Sequence, residues 1–546
     1  MAKPKRAWLL WRTVRLMGAM LLGAGQALAL ADGAGHAHGW LQALCMAVFC
    51  SLLVKEIKVS DGGKTPWASL RSSALLGWCF AWGWLSASFW WLYIAMHDFG
   101  GMPDWLAVGA VAALSGALAI YYAIACGLWV RWMQRIQGRH RHWKGALSFS
   151  ALWTLSELMR GQLFTGFPWG AVGYAHVDGW LSAYAPWVGV YGIGALVAGL
   201  VMAISLGMSG DSGKPPLYAT LQSMAVVCLL LITPWAWTHL QGDWTHSAGH
   251  AQVRLLQGNI AQDEKFIPGR GVEDALTWYA QRLQDNVAPL VVAPETAIPL
   301  LPDRLPQGYW QTLVERYHQT PQQLALVGVP LGNEQQGYSN AVVSLGPKDM
   351  ATYRYDKHHL VPFGEFIPPL FQWFLRFMNI PLGNFDRGAL HQPTLNWQGQ
   401  RLAPNICYED LFGEELAAQL VPPADMQGEG MDFTPTVLVN VSNIGWFGDT
   451  VAIDQHLNIS RMRSLELQRP MLRATNTGAT AIIDHHGRVQ AQLSRSTRGE
   501  LNGTFEGRSG LTPFAWWAGR WGLTPLWIIC LWVCLWTTRG RAHRHL

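Results

Sequence analysis

The sequence predicts a two-part fold, in which an α-helical transmembrane bundle of about eight spans is joined to an α/β sandwich domain. The chain has 546 residues, of which 50% are hydrophobic and only 14% are charged. That composition is too apolar for a soluble protein of this length. Long apolar runs crowd the first part of the chain and return only near its end. We therefore expect a membrane bundle at 1–238, a globular domain at 239–521, and a last span with a basic tail at 522–546.

Eight apolar runs have about the length that a spanning helix needs. At a rise of about 1.5 Å per residue, crossing about 30 Å of hydrocarbon takes roughly 20 residues. The first run follows basic residues and ends in Ala27-Leu28-Ala29, so a cleaved signal is an alternative for it. The fifth and eighth runs are short or interrupted. The eight runs are 14–31, 39–54, 74–96, 106–130, 146–159, 181–206, 221–237 and 523–536.

Basic residues in alternate loops predict the orientation of the bundle. Lysine and arginine precede the first span and recur at 55–71 and 131–144, whereas the loops at 32–38 and 97–104 contain neither. Because basic loops stay in the cytoplasm, we expect both termini there and the globular domain on the opposite side. The same rule explains the basic cluster at 139–144, so the sequence indicates no nucleic-acid partner.

Strands and helices alternate in the globular region. Short apolar runs followed by turn residues indicate strands, and two longer stretches have a helical pattern at 272–284 and 310–318. This alternation, with hairpin-like pairs among the strands, is typical of an α/β sandwich built on mixed sheets. The expected strands are 253–257, 289–293, 324–329, 341–345, 401–406, 480–483 and 488–493.

Cys407 is the only cysteine outside the apolar runs, which contain Cys45, Cys50, Cys79, Cys126, Cys228, Cys530 and Cys534. In an exported domain cysteines usually pair, so a solitary one is either inert and buried or a working thiol. It follows an expected strand, and carboxylates follow it directly. That setting suits a nucleophile, although position alone leaves both interpretations open.

Glu295 and Lys357 also lie at or near the ends of expected strands. A carboxylate can accept the proton of a thiol, the thiolate can attack an acyl carbon, and an ammonium group can stabilise the oxyanion. A single Glu or Lys beside a strand is usually structural. The three residue types together indicate acyl chemistry.

The sequences around these three residues resemble the Glu, Lys and Cys motifs of the nitrilase superfamily. Within it they are most similar to the membrane-bound apolipoprotein N-acyltransferase family of bacterial inner membranes, and the resemblance extends over essentially the whole chain. The matching segments are 293–299, 355–366, 406–409, 443–448, 455–456, 461–466 and 473–478, with 157–161 and 164–169 in the bundle.

The resemblance implies a nitrilase-like αββα sandwich and a two-step acyl transfer. By this resemblance a phospholipid, phosphatidylethanolamine, would acylate Cys407. The thioester would then acylate the α-amino group of the N-terminal S-diacylglyceryl-cysteine of an apolipoprotein. By this resemblance Glu295 is the proton acceptor, Lys357 the oxyanion stabiliser, and Glu365, Tyr408 and Glu409 are supporting residues. The resemblance also implies that no cofactor is needed and that the domain faces the periplasm.

Two alternatives share these residues. A membrane-tethered nitrilase-like amidase or hydrolase would use water as the acceptor, and a lipid or lipoprotein carrier would retain the three residues without using them.

The pairs His358-His359 and His485-His486 suggest no metal, since adjacent residues on a strand face opposite sides. Phe266 stands where the resembled family has tryptophan, so a hydrogen bond of the indole is lost. The apolar stretch at 366–378 is expected to dip into the membrane face.

Overall fold

The computed structural model describes residues 3–61, 65–136, 141–209, 242–267, 269–367, 385–421 and 434–539, with single positions between 225 and 237 and position 423. The chain forms two compact units. Unit 1 comprises Met1–Trp90, Trp105–Gly242 and Leu523–Leu546, and unit 2 comprises Trp91–Asp104 and Asp243–Gly522. The expected span at 221–237 and most of the apolar stretch at 366–378 lie outside the described residues.

Unit 1 is helical, and long helices lie at seven of the eight expected spans. Among the described residues, three stretches are long and apolar enough to cross a membrane, namely Gly39–Ile57, Asp104–Met133 and Trp180–Met208; a bent pair, Pro513–Trp521 with Thr524–Thr538, is a fourth candidate. The expectation of eight spans is therefore met only in part. The helices are α1 Lys3–Ala27, α2 Gly39–Asp61, α3 Pro66–Phe89, α4 Asp104–Met133, α5 Arg141–Gln162, α6 Ala185–Met208 and a C-terminal helix, Thr524–Thr538.

Small residues allow two of these helices to pack closely. A Cβ atom on Gly23 of α1 would lie 1.9 Å from the carbonyl oxygen of Phe80 on α3, and one on Gly83 would lie 2.1 Å from that of Met20. Only glycine fits at either position, as at other close helix crossings in membranes. Aromatic side chains fill the space beside this crossing, where Trp84 and the Trp153 ring of α5 stack with centroids 6.0 Å apart.

Glu157 and Arg160, near the end of α5, are both buried. Arg160 Nη1 donates to the carbonyl oxygens of Phe167 and Trp169, each at 2.7 Å. Glu157 Oε1 accepts from the backbone N–H of Val172 at 2.9 Å. The two side chains therefore stabilise the irregular segment that follows α5, because they bond backbone groups of this segment that have no partner in a helix or sheet.

Unit 2 contains two six-stranded sheets. The first has the strand order β12-β1-β2-β3-β4-β5 and the second has the order β11-β10-β9-β8-β7-β6. Strands β1 to β3 are parallel, as are β7 to β9, and the outer strands are antiparallel. The strands are β1 Thr245–Gln257, β2 Leu290–Val292, β3 Leu324–Asn333, β4 Gly337–Leu345, β5 Arg354–Asp356, β6 Leu395–Trp397, β7 Gln400–Ile406, β8 Val437–Ser442, β9 Met471–Thr475, β10 Ala481–Ile483, β11 Val489–Gln492 and β12 Gly499–Gly510.

The sheets pack face to face, with helices on the outside. Between them lies an apolar core to which Leu255 and Leu326 contribute from the first sheet, and Leu402 and Val439 from the second. A second core lies between the first sheet and its covering helices. Alternate residues of each strand face opposite sides, so each central strand supplies both layers. The helices of this unit are α7 Gly271–Gln284, α8 Tyr309–His318, α9 Gly413–Leu420, α10 Val451–Leu467 and α11 Pro513–Trp521.

A segment from the first part of the chain, Trp91–Asp104, belongs to unit 2. The Trp91 ring lies on that of Phe447, with centroids 4.2 Å apart, and its Nε1–H donates to Gln455 Oε1 at 3.2 Å. Phe99 meets Trp446 edge to face at 5.9 Å. The segment thus packs on the loop that follows β8.

Val439→Ala tests the core between the two sheets. Val439 is fully buried. Its replacement by alanine removes two buried methyl groups and leaves a cavity, which costs roughly 2 kcal/mol of folding free energy. We expect a lower midpoint of thermal unfolding. Val287→Ala is the matched control, because Val287 is 76% exposed; equal shifts in both variants would contradict this assignment of the core.

Candidate active site

Cys407 lies at the carboxyl end of β7, at a sharp turn. Its φ is 52°, in the left-handed region that non-glycine residues seldom adopt. From 402 to 410 it is the one residue that is not buried. Such strain at a reactive position must be stabilised by the surrounding structure. The turn thus leaves Cys407 half-buried while its neighbours anchor the backbone.

A buried polar network lies behind this turn. Asn440 Nδ2, on the adjacent strand β8, donates to Asn405 Oδ1 at 2.6 Å and to the Cys407 carbonyl oxygen at 3.4 Å. Arg473 Nη1, on β9, donates in turn to Asn440 Oδ1 at 3.3 Å. Hydrogen bonds therefore connect three parallel strands at the base of the turn.

Asp410 and His456 complete this network. Arg473 Nη2 donates to His456 Nδ1 at 2.5 Å, so the other imidazole nitrogen carries the proton and lies 2.9 Å from Asp410 Oδ1. Burial lowers the pKa of His456. Burial also acts to raise the pKa of Asp410, but His456 and Arg473 outweigh it and the pKa is lowered. Arg473 Nη1 also lies 3.3 Å from Asp410 Oδ2, so these two residues form the charged pair and the neutral imidazole lies beside both.

Glu295 follows β2, at the same rim as Cys407. Its Oε2 accepts from the backbone N–H of Asn443 at 2.9 Å, and its Oε1 accepts from Asn340 Nδ2 at 2.7 Å. The side chain is only 10% exposed. The carboxylate is therefore fixed by donors from β4 and from the loop after β8, which are in different sheets.

Lys357, just after β5, is 1% exposed and contacts two carboxylates. Its Nζ lies 2.8 Å from Glu365 Oε1 and 3.4 Å from Glu295 Oε1. Asn340 Nδ2 donates to both of these oxygens, at 2.8 and 2.7 Å. One ammonium group and one amide thus hold together two carboxylates that would otherwise repel each other.

The charges of this cluster act on the thiol. Burial, followed by the Glu295 carboxylate, raises the pKa of Cys407 to about 12, and Lys357 opposes the shift. Burial disfavours the ammonium form of Lys357, but Glu365 and Glu295 outweigh it and raise its pKa. At neutral pH the cluster therefore holds a neutral thiol beside a charged lysine, and the thiol needs a base before it can react.

Glu409 connects the Cys407 turn to the segment after Lys357. Its carboxylate accepts from the backbone N–H groups of Ile406, His358 and His359, at 2.6, 2.7 and 3.1 Å, and from the hydroxyl of Tyr355 at 3.0 Å. These donors favour the ionised form, yet burial dominates and raises the pKa of Glu409 to about 7. The side chain is a positioning element between the two segments.

Tyr408 is buried beside the turn and contacts aromatic rings. Its centroid lies 5.7 Å from that of His359 and 5.3 Å from that of Phe412. The first of these rings stacks on the second at 3.5 Å. Tyr408 therefore packs the wall next to the nucleophile turn.

A second lysine, Lys265, lies next to Glu295. It is 1% exposed, and its Nζ donates to the Glu295 carbonyl oxygen at 3.1 Å. Burial lowers its pKa to about 7, although Glu295 and Cys407 act in the opposite direction. The ring of Phe266 is half-buried and lies 5.9 Å from this Nζ.

The expectation that His485 and His486 face opposite sides is wrong. They lie in the turn between β10 and β11, where strand alternation does not apply. Their Nε2 atoms lie 3.1 and 3.5 Å from Asp243 Oδ2. Arg508 Nη2 is also 3.1 Å from that oxygen, so the carboxylate already has a cationic partner, and we assign no metal to the cluster.

The structure brings all the expected site residues to one end of the two sheets, and it adds residues that the sequence did not indicate. Asn340 precedes an apolar run on β4, and Asn443 contributes a backbone N–H, which no side-chain pattern records. Lys265 lies directly before Phe266, but its own role was not predicted. The one signal available for Asn340 was a polar residue directly before the apolar run 341–343.

Comparison with known proteins gives consistent matches over both units. Residues 22–203 match the family described as the apolipoprotein N-acyltransferase N-terminal domain, and residues 253–505 match the carbon-nitrogen hydrolase family. A protein of Verminephrobacter eiseniae named apolipoprotein N-acyltransferase is 49% identical over 100% of this chain and 98% of its own. One of Ralstonia nicotianae with the same name is 44% identical over 91% of this chain and 88% of its own.

Among solved structures, a carbon-nitrogen hydrolase from Helicobacter pylori G27 is 14% identical. The match covers 55% of this chain and 98% of that chain, with a TM-score of 0.34.

The raised pKa of Cys407 predicts how its alkylation by iodoacetamide depends on pH. Below a pKa of about 12, the thiolate fraction rises about tenfold per pH unit. We expect the rate, measured by mass spectrometry of the Cys407 peptide, to keep rising from about pH 8 to about pH 10. The urea-denatured chain is the control, in which an ordinary thiol levels off above about pH 9. A plateau in the native protein would contradict the shift.

Glu409→Gln should lower the midpoint of thermal unfolding. The amide turns an N–H₂ group toward backbone donors, so at least one of them loses its acceptor, at a cost of about 2 to 4 kcal/mol for buried bonds to a charged group. Glu273→Gln is the control, because Glu273 is exposed in the first turn of α7. An unchanged midpoint in Glu409→Gln would show that these four donors find other partners.

Proposed function

The chain belongs to the apolipoprotein N-acyltransferase family, so it N-acylates lipoproteins, and we propose that Cys407 carries the acyl chain from donor to acceptor as a thioester. One observation carries the proposal of a Cys407 thioester. A half-buried cysteine on a strained turn shares a rim with a fixed carboxylate and a charged lysine, the Glu295 and Lys357 pair at 3.4 Å.

In the first step, Glu295 removes the proton of the Cys407 thiol, because the thiol is neutral at rest. The sulfur attacks the carbonyl carbon of a phospholipid ester, and the charged Lys357 stabilises the oxyanion that forms. One such donor is typically worth about 3 kcal/mol of barrier. The ester C–O bond then breaks, and the Glu295 carboxylic acid returns its proton to the leaving hydroxyl of the lysophospholipid.

In the second step, the α-amino group of the S-diacylglyceryl-cysteine attacks the thioester. The same Lys357 stabilises the second oxyanion. The C–S bond breaks and an amide forms, while the departing sulfur of Cys407 regains a proton through Glu295. Both steps thus use Glu295 as the base and Lys357 as the oxyanion stabiliser. In the first step Glu295 takes a proton from the Cys407 sulfur, and in the second it returns one to that sulfur.

The remaining site residues support these three groups. Glu365, with Asn340, keeps Lys357 charged and directed at the rim. The Glu409 carboxylate ties the Cys407 turn to the backbone just after Lys357. We assign Tyr408 to the wall of the acyl-binding region, because its ring packs beside the turn.

We further propose a multi-pass inner-membrane arrangement with eight spans. The bundle comprises 1–238, the catalytic domain 239–521, and the last span and tail 522–546. Alternation of basic loops supports cytoplasmic termini and a periplasmic catalytic domain. The donor is proposed to be phosphatidylethanolamine, and a bundle that tethers the domain would keep both lipid substrates at high local concentration.

Incubation of the full chain with phosphatidylethanolamine, without an acceptor, tests the thioester. We expect an increase in intact mass equal to one acyl chain, which hydroxylamine removes, because thioesters are cleaved by this nucleophile. Cys407→Ala should show no increase. Cys79→Ala is the control, because Cys79 lies in α3 of unit 1, whereas the site residues belong to unit 2.

Addition of a diacylated lipopeptide then separates transfer from hydrolysis. Transfer moves the acyl mass to the peptide, whereas a hydrolase releases a free fatty acid. An adduct that persists in Cys407→Ala would overturn the assignment of the nucleophile.

A further inference from the structure

Two buried lysines occupy this site, and their surroundings differ. Lys357 Nζ contacts two carboxylates, at 2.8 and 3.4 Å. Lys265 Nζ, equally buried, donates to a backbone carbonyl oxygen, and within the described ranges no carboxylate lies in ion-pair distance of it. A buried ammonium group without an anion is costly, so this environment favours the neutral amine.

The position of Lys265 places this amine beside the reacting groups. The residue lies on the irregular segment between β1 and α7, and its carbonyl partner belongs to Glu295 itself. Its protonation is also coupled to the charge of Cys407. A second proton acceptor thus lies next to the proposed base.

The proposed second step needs such an acceptor. An α-amino group with an ordinary pKa near 7.7 to 8.0 arrives mostly as an ammonium ion at neutral pH, and only the free amine can attack a thioester. Aminolysis therefore releases two protons from nitrogen, whereas the departing thiolate takes back only one. The Glu295 carboxylate alone can accept only one of these two protons.

We propose that Lys265 accepts the first proton from the acceptor's α-ammonium group, which makes the amine nucleophilic inside the site. This inference rests on the proposed function and deepens it. The proton moves from the substrate nitrogen to Lys265 Nζ, and the free amine then attacks the thioester carbon. Glu295 takes the second N–H proton and passes it to the Cys407 sulfur as the C–S bond breaks. Lys265 afterwards releases its proton to water.

The test measures the two half-reactions separately. The full chain is acylated with phosphatidylethanolamine, freed of donor, and then mixed with a synthetic S-diacylglyceryl-cysteinyl peptide. Lys265→Met keeps the shape of the side chain without its nitrogen, and Lys265→Arg keeps a permanent charge that cannot accept a proton. Lys348→Met is the control, because Lys348 is exposed.

We expect transfer to fall up to about tenfold relative to thioester formation in both variants at about pH 7, because roughly a tenth of an amine with a pKa near 8 is already free at that pH. The defect of Lys265→Met should shrink by about pH 9, where most of the acceptor is already free amine. A purely structural role would not produce this pH dependence.

Three results would overturn the inference: full transfer in Lys265→Arg, an equal loss in both half-reactions, or a defect that does not change with pH. Should Lys265→Met fail to fold, Lys265→Arg decides alone. Failure of the wild-type chain to form any thioester would instead contradict the proposed function, which keeps the two failures distinguishable.

Discussion

The buried contact between Lys357 and its two carboxylates is the interaction on which the site depends. Isolated charges inside a protein cost several kcal/mol each, and removal of one partner leaves the others uncompensated. Here Asn340 bonds both carboxylates, and the backbone N–H of Asn443 holds the far oxygen of Glu295. The cluster therefore fixes the positions of Glu295 and Lys357 and connects the two sheets. The Cys407 thiol lies in the electrostatic field of these charges, whose positions are already fixed.

Much of the fold could be predicted from local pattern. The helices at 272–284 and 310–318 and the strands before Glu295 and Cys407 were correctly predicted, because short apolar runs ended by turn residues carry that information. The nitrilase-like α/β fold is confirmed by the match of residues 253–505 to the carbon-nitrogen hydrolases. By contrast, β1 extends back to Thr245 because it pairs with β12 across more than 200 residues, a partnership that no local window contains.

The site was predictable only where chemistry and strand ends coincide. Glu295 and Cys407 lie within three residues of the carboxyl ends of parallel strands, so their convergence at one rim follows from topology. Asn340 and Lys265 were not predicted, because their importance depends on their contacts in three dimensions. The Asn340 amide lies between two carboxylates, whereas the Lys265 amine has no carboxylate partner among the described residues. For buried polar residues the partner decides the role, and residue type alone cannot reveal it.

The segment Trp91–Asp104 makes unit 2 discontinuous in sequence. Its Trp91 and Phe99 rings cover Phe447 and Trp446, on the loop whose first residue, Asn443, donates to Glu295. A fragment cut at the start of β1 would therefore leave these aromatic rings bare to water and prone to aggregation. During synthesis, this segment emerges long before the loop it covers. Completion of unit 2 thus has to wait until the loop after β8 has been synthesised.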